Sequence, residues 1–257
     1  MYDDELALAN ELADRAAEIA LGYFGGEFEI KRKPDRTPVT EADLAIEAMM
    51  REVLAERFPG DAILGEEQGL TGDAERVWVL DPIDGTKNFA DGVPIWGTLI
   101  ALQVDAVPVL GLASAPTIGE RYAAVRGQGA TMNGRPIHVR HTTTELSEAL
   151  VAFGGLEVWL SEEYRERFSS LVLTVRRARG LGDFWGHALV ARGAADVMLE
   201  PRLRTWDFAG LSVIVEEAGG TISQLDGSAL ADHGSVISSN GVLHDEVLRR
   251  LTGEAGT

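Results

Sequence analysis

The stretch Trp78-Val79-Leu80-Asp81-Pro82-Ile83-Asp84-Gly85-Thr86-Lys87-Asn88-Phe89 decides how this chain is read. An apolar run stops abruptly at a carboxylate, and Pro82 and Gly85 then turn the backbone and bring a second carboxylate round beside the first. Two acids at one strand end repel each other, an arrangement that is costly unless a cation neutralises it. Paired carboxylates offering only oxygen suit Mg²⁺ or Mn²⁺. Gly85 would also let a phosphate approach the backbone, with the Gly85 and Thr86 N–H groups as donors. Read without a cation, the same residues are an acidic surface turn in an acidic protein.

Working outward, a second acidic corner has the same design. Ala62-Ile63-Leu64 is a short apolar run that ends at Gly65 and delivers Glu66-Glu67. A third carboxylate comes at Trp206-Asp207, just before an apolar helix containing Leu211, Val213, Ile214 and Val215. Asp207 also suits a helix N-cap, and Asp43 suits the N3 position of a capping box formed by Thr40-Glu41-Ala42-Asp43. Capping and ligating are compatible roles for either residue.

The rest of the composition narrows the class. The chain has 257 residues with 41 acidic side chains against 23 Lys and Arg, for a formal net charge of −18. That balance argues against a nucleic-acid backbone or an anionic membrane as the main partner. A 45% hydrophobic content beside 25% charged residues supports a folded chain with a sizeable core. No cysteine is present, which excludes disulfides, Cys-ligated metals and thiol nucleophiles. No stretch is apolar enough to span a bilayer, and Met1-Tyr2-Asp3-Asp4-Glu5 is acidic where a secretory signal is basic. A cytoplasmic protein is the expectation.

Periodicity predicts an amphipathic helix from Asp3 and Asp4 to Gly22, with Leu6, Ala9, Ala13, Ala16, Ala17 and Ala20 at helical spacing. A second helix follows the capping box, carries Ile46, Met49, Met50, Val53 and Leu54, and closes near Pro59-Gly60. Short β-type runs come next, at 62–64, 77–80, 96–104, 107–113 and 121–125, with a hairpin turn at Asn133-Gly134. Beyond about residue 145 the pattern predicts strands at 172–177, 195–199 and 236–238, and helices at 184–191 and 208–218. The first half, 1–142, reads as α+β with antiparallel pairing and the second, 143–257, as α/β. A soft boundary near 140–146 separates them without a flexible linker.

Other chemistries find little support. There is no phosphate loop of the Gly-x-x-x-x-Gly-Lys type and no Gly-x-Ser-x-Gly elbow. Gly127-Gln128-Gly129 lacks the third glycine of a dinucleotide site. The five histidines have no metal-ligand spacing; His138, His141, His233 and His244 read as surface or turn residues, and His187 is left open.

Taken together, Gly65-Glu66-Glu67, Asp81-Pro82-Ile83-Asp84-Gly85-Thr86 with Asn88-Phe89, and Trp206-Asp207 leading to Glu217-Ala218-Gly219-Gly220 resemble the inositol monophosphatase family of Mg²⁺-dependent phosphatases. The resemblance runs over nearly the whole chain and implies an αβαβα layered sandwich and a homodimer. It implies that Glu66, Asp81 and the Ile83 carbonyl hold one Mg²⁺, and Asp81, Asp84 and Asp207 a second, with Asp81 bridging. Asp43 and Thr86 match the acid and hydroxyl that polarise the attacking water. Glu66 matches a residue that also helps hold a third ion, and Lys33 falls where the family has a lysine near the site. Such cations bind phosphoryl oxygens, lower the pKa of a bound water and offset the charge on the leaving alkoxide. With a net charge of −18, the metals and Lys33 or Lys87 must supply the local positive potential.

The same motifs serve phosphatases of several small phosphorylated metabolites. Here Arg179-Gly180-Leu181-Gly182-Asp183-Phe184-Trp185 places an acid and two aromatics where inositol phosphatases have small residues, which resembles the branch that hydrolyses histidinol phosphate in histidine biosynthesis. Asp183 and Glu200 are suitable partners for the ammonium and imidazole of that substrate, with Trp185 or Phe184 stacking on the ring. Alternatively, Asp183 caps the following helix and the aromatics are core. An inositol or sugar-phosphate phosphatase of the same fold, a phosphatase with an aspartyl nucleophile, and a non-catalytic metal-binding protein are the competing functions. The aspartyl-nucleophile loop spaces its acids two apart, whereas Asp81 and Asp84 are three apart.

Overall fold

The computed structural model describes residues 2–26, 30–32 and 38–253. Lys33 lies outside the described residues. In chain order the first half comprises α1 (Asp3–Tyr23), β1 (Ile30–Arg32), β2 (Pro38–Thr40), α2 (Glu41–Arg57), β3 (Ala62–Gly65), β4 (Gly69–Thr71) and β5 (Arg76–Asp84). It continues through α3 (Thr86–Ala90), β6 (Gly97–Val104), β7 (Val107–Ala115), β8 (Glu120–Val125), β9 (Ala130–Met132) and β10 (Arg135–Ile137). Then come β11 (Leu150–Phe153), α4 (Leu156–Trp159), α5 (Arg165–Thr174), β12 (Arg177–Gly180) and α6 (Phe184–Ala191). The chain closes with β13 (Val197–Arg204), α7 (Thr205–Glu217), β14 (Thr221–Gln224), β15 (His233–Ser239) and α8 (His244–Thr252).

Helix α1 begins on Asp3, Asp4 and Glu5, which complement the positive end of its dipole. It buries Leu8, Leu12 and a ridge of alanines. Helix α2 starts at the expected capping box: Thr40 and Asp43 satisfy each other's backbone N–H groups. Both helices cover one face of an eight-stranded sheet of order β10-β9-β8-β7-β6-β5-β3-β4, in which only β3 and β5 pair in parallel. The alternation along β5 explains the layering: Trp78 and Leu80 join the core under α1 and α2, and Val79 packs with Ala209 of α7 on the opposite face.

A second sheet, of order β12-β11-β13-β15-β14, mixes parallel and antiparallel pairs. Its Met198 faces α6, α7 and the first sheet, and its Val197 and Leu199 face α5 and α8. The result is the expected αβαβα sandwich, with α6 and α7 as the middle layer. The expected strand at 172–177 is a helix end instead, because Phe168 and Leu171 of α5 are buried at helical spacing and the strand starts at Arg177. His244 is buried between Ser223 and Ser239, accepting or donating at 2.8 and 3.0 Å, and is not the surface residue expected.

Candidate metal centre and substrate pocket

In an unbroken strand, residues three apart point to opposite faces. The register of β5 against β6 shifts between Asp81, opposite Leu99, and Asp84, opposite Gly97. This bulge absorbs one extra residue, with Pro82 inside it and its carbonyl held by the Thr98 hydroxyl at 2.8 Å. Both carboxylates therefore emerge on one side. Gly85, at φ 80°, then turns the chain into α3.

Asp207 arrives from the middle layer. It is the N3 residue of α7 and not its N-cap: Arg204 is the cap, and its N–H donates to Asp207 Oδ2 at 2.7 Å. One oxygen from each of Asp81, Asp84 and Asp207 lies within 4.8 Å of the others. Burial raises the pKa of Asp81 well above the ordinary carboxylate value, and Glu66, Asp84 and Asp207 push it further. Asp84 is raised by burial and by Asp183 and Asp207, against a lowering hydrogen bond from the Phe184 backbone. Asp207 is pushed up to about 7, chiefly by burial. Asp81 Oδ1 is buried with no hydrogen-bond partner among the described residues. Clustered acids with an unsatisfied buried oxygen fit a hard divalent cation.

The other expected site residues are placed as follows. Glu66 begins the turn after β3, its N–H bonded to the Leu80 carbonyl at 3.1 Å, and it interacts with Asp81. The Thr86 hydroxyl donates to the Ile83 carbonyl at 3.0 Å, which leaves that carbonyl a second lone pair. Asp43 is fully buried, its Oδ2 accepting from the Thr40 N–H at 2.8 Å and the Thr40 hydroxyl at 2.5 Å.

Asp183 joins this cluster from one side. It is not a side-chain cap for α6. Its backbone sits at φ 58°, ψ −160°, a region almost reserved for glycine. Three contacts hold it there: Asn88 Nδ2 donates to its Oδ2 at 3.2 Å, the neighbouring Phe184 N–H donates to Asp84 Oδ2 at 2.7 Å, and its own backbone bonds to Glu200. Burial raises the pKa of Asp183, which Lys87 partly offsets. Glu200 is pushed up to about 8 by burial and then by Asp183, and its Oε2 has no hydrogen-bond partner among the described residues. Trp185 is held by Glu120, to which its indole N–H donates at 3.0 Å. Phe184 is core. His187 is buried against Ser238 at 2.8 Å, and burial takes its pKa down to about 3.

Two residues with no role in the sequence reading emerge here. Asn88 ties Asp183 to the Ile95 carbonyl, the latter at 2.8 Å. Glu47 lies fully buried behind the Glu66 corner. Its signal in the sequence was an acid four residues after Asp43, on the apolar face of α2.

A layered sandwich with carboxylates gathered at a bulged strand end defines a class of metal-dependent phosphatases. The model of the inositol monophosphatase family matches residues 1–254, and the chain belongs to that family of phosphomonoesterases. It is 47% identical to a histidinol-phosphatase of Mycobacterium tuberculosis, over 98% of this chain and 99% of that one. The histidinol-phosphatase of Streptomyces coelicolor is 43% identical, over 97% of each chain. Among solved structures, an inositol monophosphatase from Zymomonas mobilis is 38% identical with a TM-score of 0.86, over 98% of this chain and 99% of that one.

Proposed function

We propose that this chain hydrolyses L-histidinol phosphate to L-histidinol and phosphate, a late step of histidine biosynthesis, with Mg²⁺ as its cofactor. One observation carries the reading: an acidic pair, the half-buried Asp183 and the buried Glu200, stands directly beside the carboxylate cluster. A cluster that holds cations for a phosphate explains Asp81, Asp84 and Asp207, and a neighbouring acidic pocket is explained by a substrate that is itself cationic at its other end. The names of the two relatives above agree with this reading.

Glu66, Asp81, Asp84, Asp207 and the Ile83 carbonyl would hold two or three ions, with Mn²⁺ able to replace Mg²⁺ on the same oxygen donors. When bound, the ions supply Lewis acidity at the phosphoryl oxygens and a water of lowered pKa. The Gly85 and Thr86 N–H groups bind phosphate oxygens. Asp43 and the Thr86 hydroxyl, held on Ile83, help polarise the attacking water. Asp183 and Glu200 bind the substrate's ammonium and imidazole, which fixes the phosphate end over the carboxylates. No residue forms a covalent bond to phosphate. A homodimer, taken from the family resemblance, is part of the same proposal and is checked by light scattering of the purified chain.

Phosphate release from L-histidinol phosphate, myo-inositol 1-phosphate and fructose 1,6-bisphosphate, each with Mg²⁺ and with EDTA, tests the assignment. A metal-dependent preference for histidinol phosphate is expected. Equal or faster hydrolysis of the other two would reject it.

A further inference from the structure

Helix α2 carries Asp43, Glu47 and Arg51 at successive i, i+4 positions, beside the buried Ala42, Ile46 and Met50. Glu47 is completely buried, and nothing in the reaction described above uses it. A carboxylate in that position is costly unless donors and a countercharge satisfy it. Its donors come from the turn after β3 and from the next turn of its own helix. Oε2 accepts the Glu67 N–H at 2.7 Å, and Oε1 accepts the Gln68 N–H at 3.0 Å and Arg51 Nε at 2.8 Å. Arg51 in turn donates to the Gly69 carbonyl at 2.5 Å and to the Thr71 hydroxyl.

These anchors bracket a single feature, the turn between β3 and β4 that carries Glu66. A hairpin tip of this kind is ordinarily mobile, and a metal ligand placed on one loses affinity to the cost of ordering it. Gly65 supports the same conclusion, because a Cβ there would fall on the Glu47 carboxylate. The strand end has given up its side chain to let the acid reach the turn.

We infer that Glu47, with Arg51 behind it, is a positioning residue that holds the Glu66 corner in ligating geometry before a cation arrives. The inference rests on Glu66 being a metal ligand. Glu47 itself touches neither cation nor substrate.

Calorimetric titration of the purified full-length chain with Mn²⁺ tests this. The unmodified protein, Glu66→Gln and Glu47→Gln are compared, together with their thermal midpoints. Glu66→Gln should lose one binding step, and Glu47→Gln should weaken that same step about 10- to 100-fold while sparing the step held by Asp81, Asp84 and Asp207. Should Glu47→Gln fail to fold, amide exchange in the unmodified metal-free protein gives the answer, with the Glu67 and Gln68 N–H groups expected to be protected. Binding in Glu47→Gln equal to the unmodified protein, or free exchange of those two amides, overturns the role of Glu47 and leaves Glu66 as a ligand. An unchanged isotherm in Glu66→Gln removes Glu66 as a ligand, and the positioning role goes with it.

Discussion

The two acidic regions of the site are built differently. Asp81 and Asp84 come from one strand, three residues apart, and a bulge is enough to unite them. Asp183 and Glu200 come from separate elements of the second half, and they stand beside the first cluster because α6 docks against the β5–α3 turn, with Asn88 and Asp84 reaching across. Local chemistry suffices for the first cluster, whereas the second depends on tertiary packing and stores strain in Asp183. A centre shared by a whole family can be encoded in short motifs, while the part that selects a substrate is assembled from contacts between layers.

If the strand-end cluster is the catalytic half, its removal has the largest effect. Asp81→Asn is expected to lower turnover by about 1000-fold or more in steady-state phosphate release. The same change should raise the thermal midpoint of the metal-free protein, since it removes a buried charge among like charges. Asp183→Ala breaks the comparison on the other side. KM for L-histidinol phosphate should rise roughly 100-fold, with activity on myo-inositol 1-phosphate retained, because a desolvated charge pair is lost only with the cationic substrate. Asn88→Ala keeps both acids and loosens their link, so a KM increase of about tenfold with little change in kcat is expected from the same assay.

A smaller effect should appear in stability against pH. Glu200 and Asp207, raised to about 8 and about 7, bind protons more tightly in the folded chain than in the unfolded one. Their stabilising contribution is complete below the unfolded carboxylate range and is lost as pH rises through the folded values. Metal-free protein scanned by calorimetry should thus lose several degrees of thermal midpoint between about pH 4.5 and 8. Mg²⁺ should flatten the part that belongs to Asp207, and Glu200→Gln the part that belongs to Glu200. A midpoint that rises with pH over this window would contradict the assignment.

Much of this was legible in the sequence because it is local. The capping box at Thr40 and Asp43, the helix over 184–191 and the hairpin at Asn133-Gly134 each follow from chemistry within a few residues. The closeness of Asp81 and Asp84 is local in the same way, since an apolar run ends at Asp81 and a Pro- and Gly-containing turn follows. The failures share the opposite cause. Val172 to Arg177 looks like a strand because its exposed apolar residue, Leu173, interrupts the helical pattern of α5. The burial of His244 depends on Ser223 and Ser239 from two other strands. Glu47 is not legible in the sequence because an acid on a helix reads as solvated until the turn it holds is folded over it.

The most direct measurement pairs two deletions, the carboxylate from the enzyme and the amine from the substrate. The unmodified chain and Asp183→Ala are each assayed in Mg²⁺ with L-histidinol phosphate and with the analogue lacking its amino group. A large preference for the amine in the unmodified chain, collapsing in Asp183→Ala, is the expected result, since the two changes remove one shared interaction. An equal preference in both proteins would mean that Asp183 does not read the substrate's charge, and the acidic pocket would lose its function.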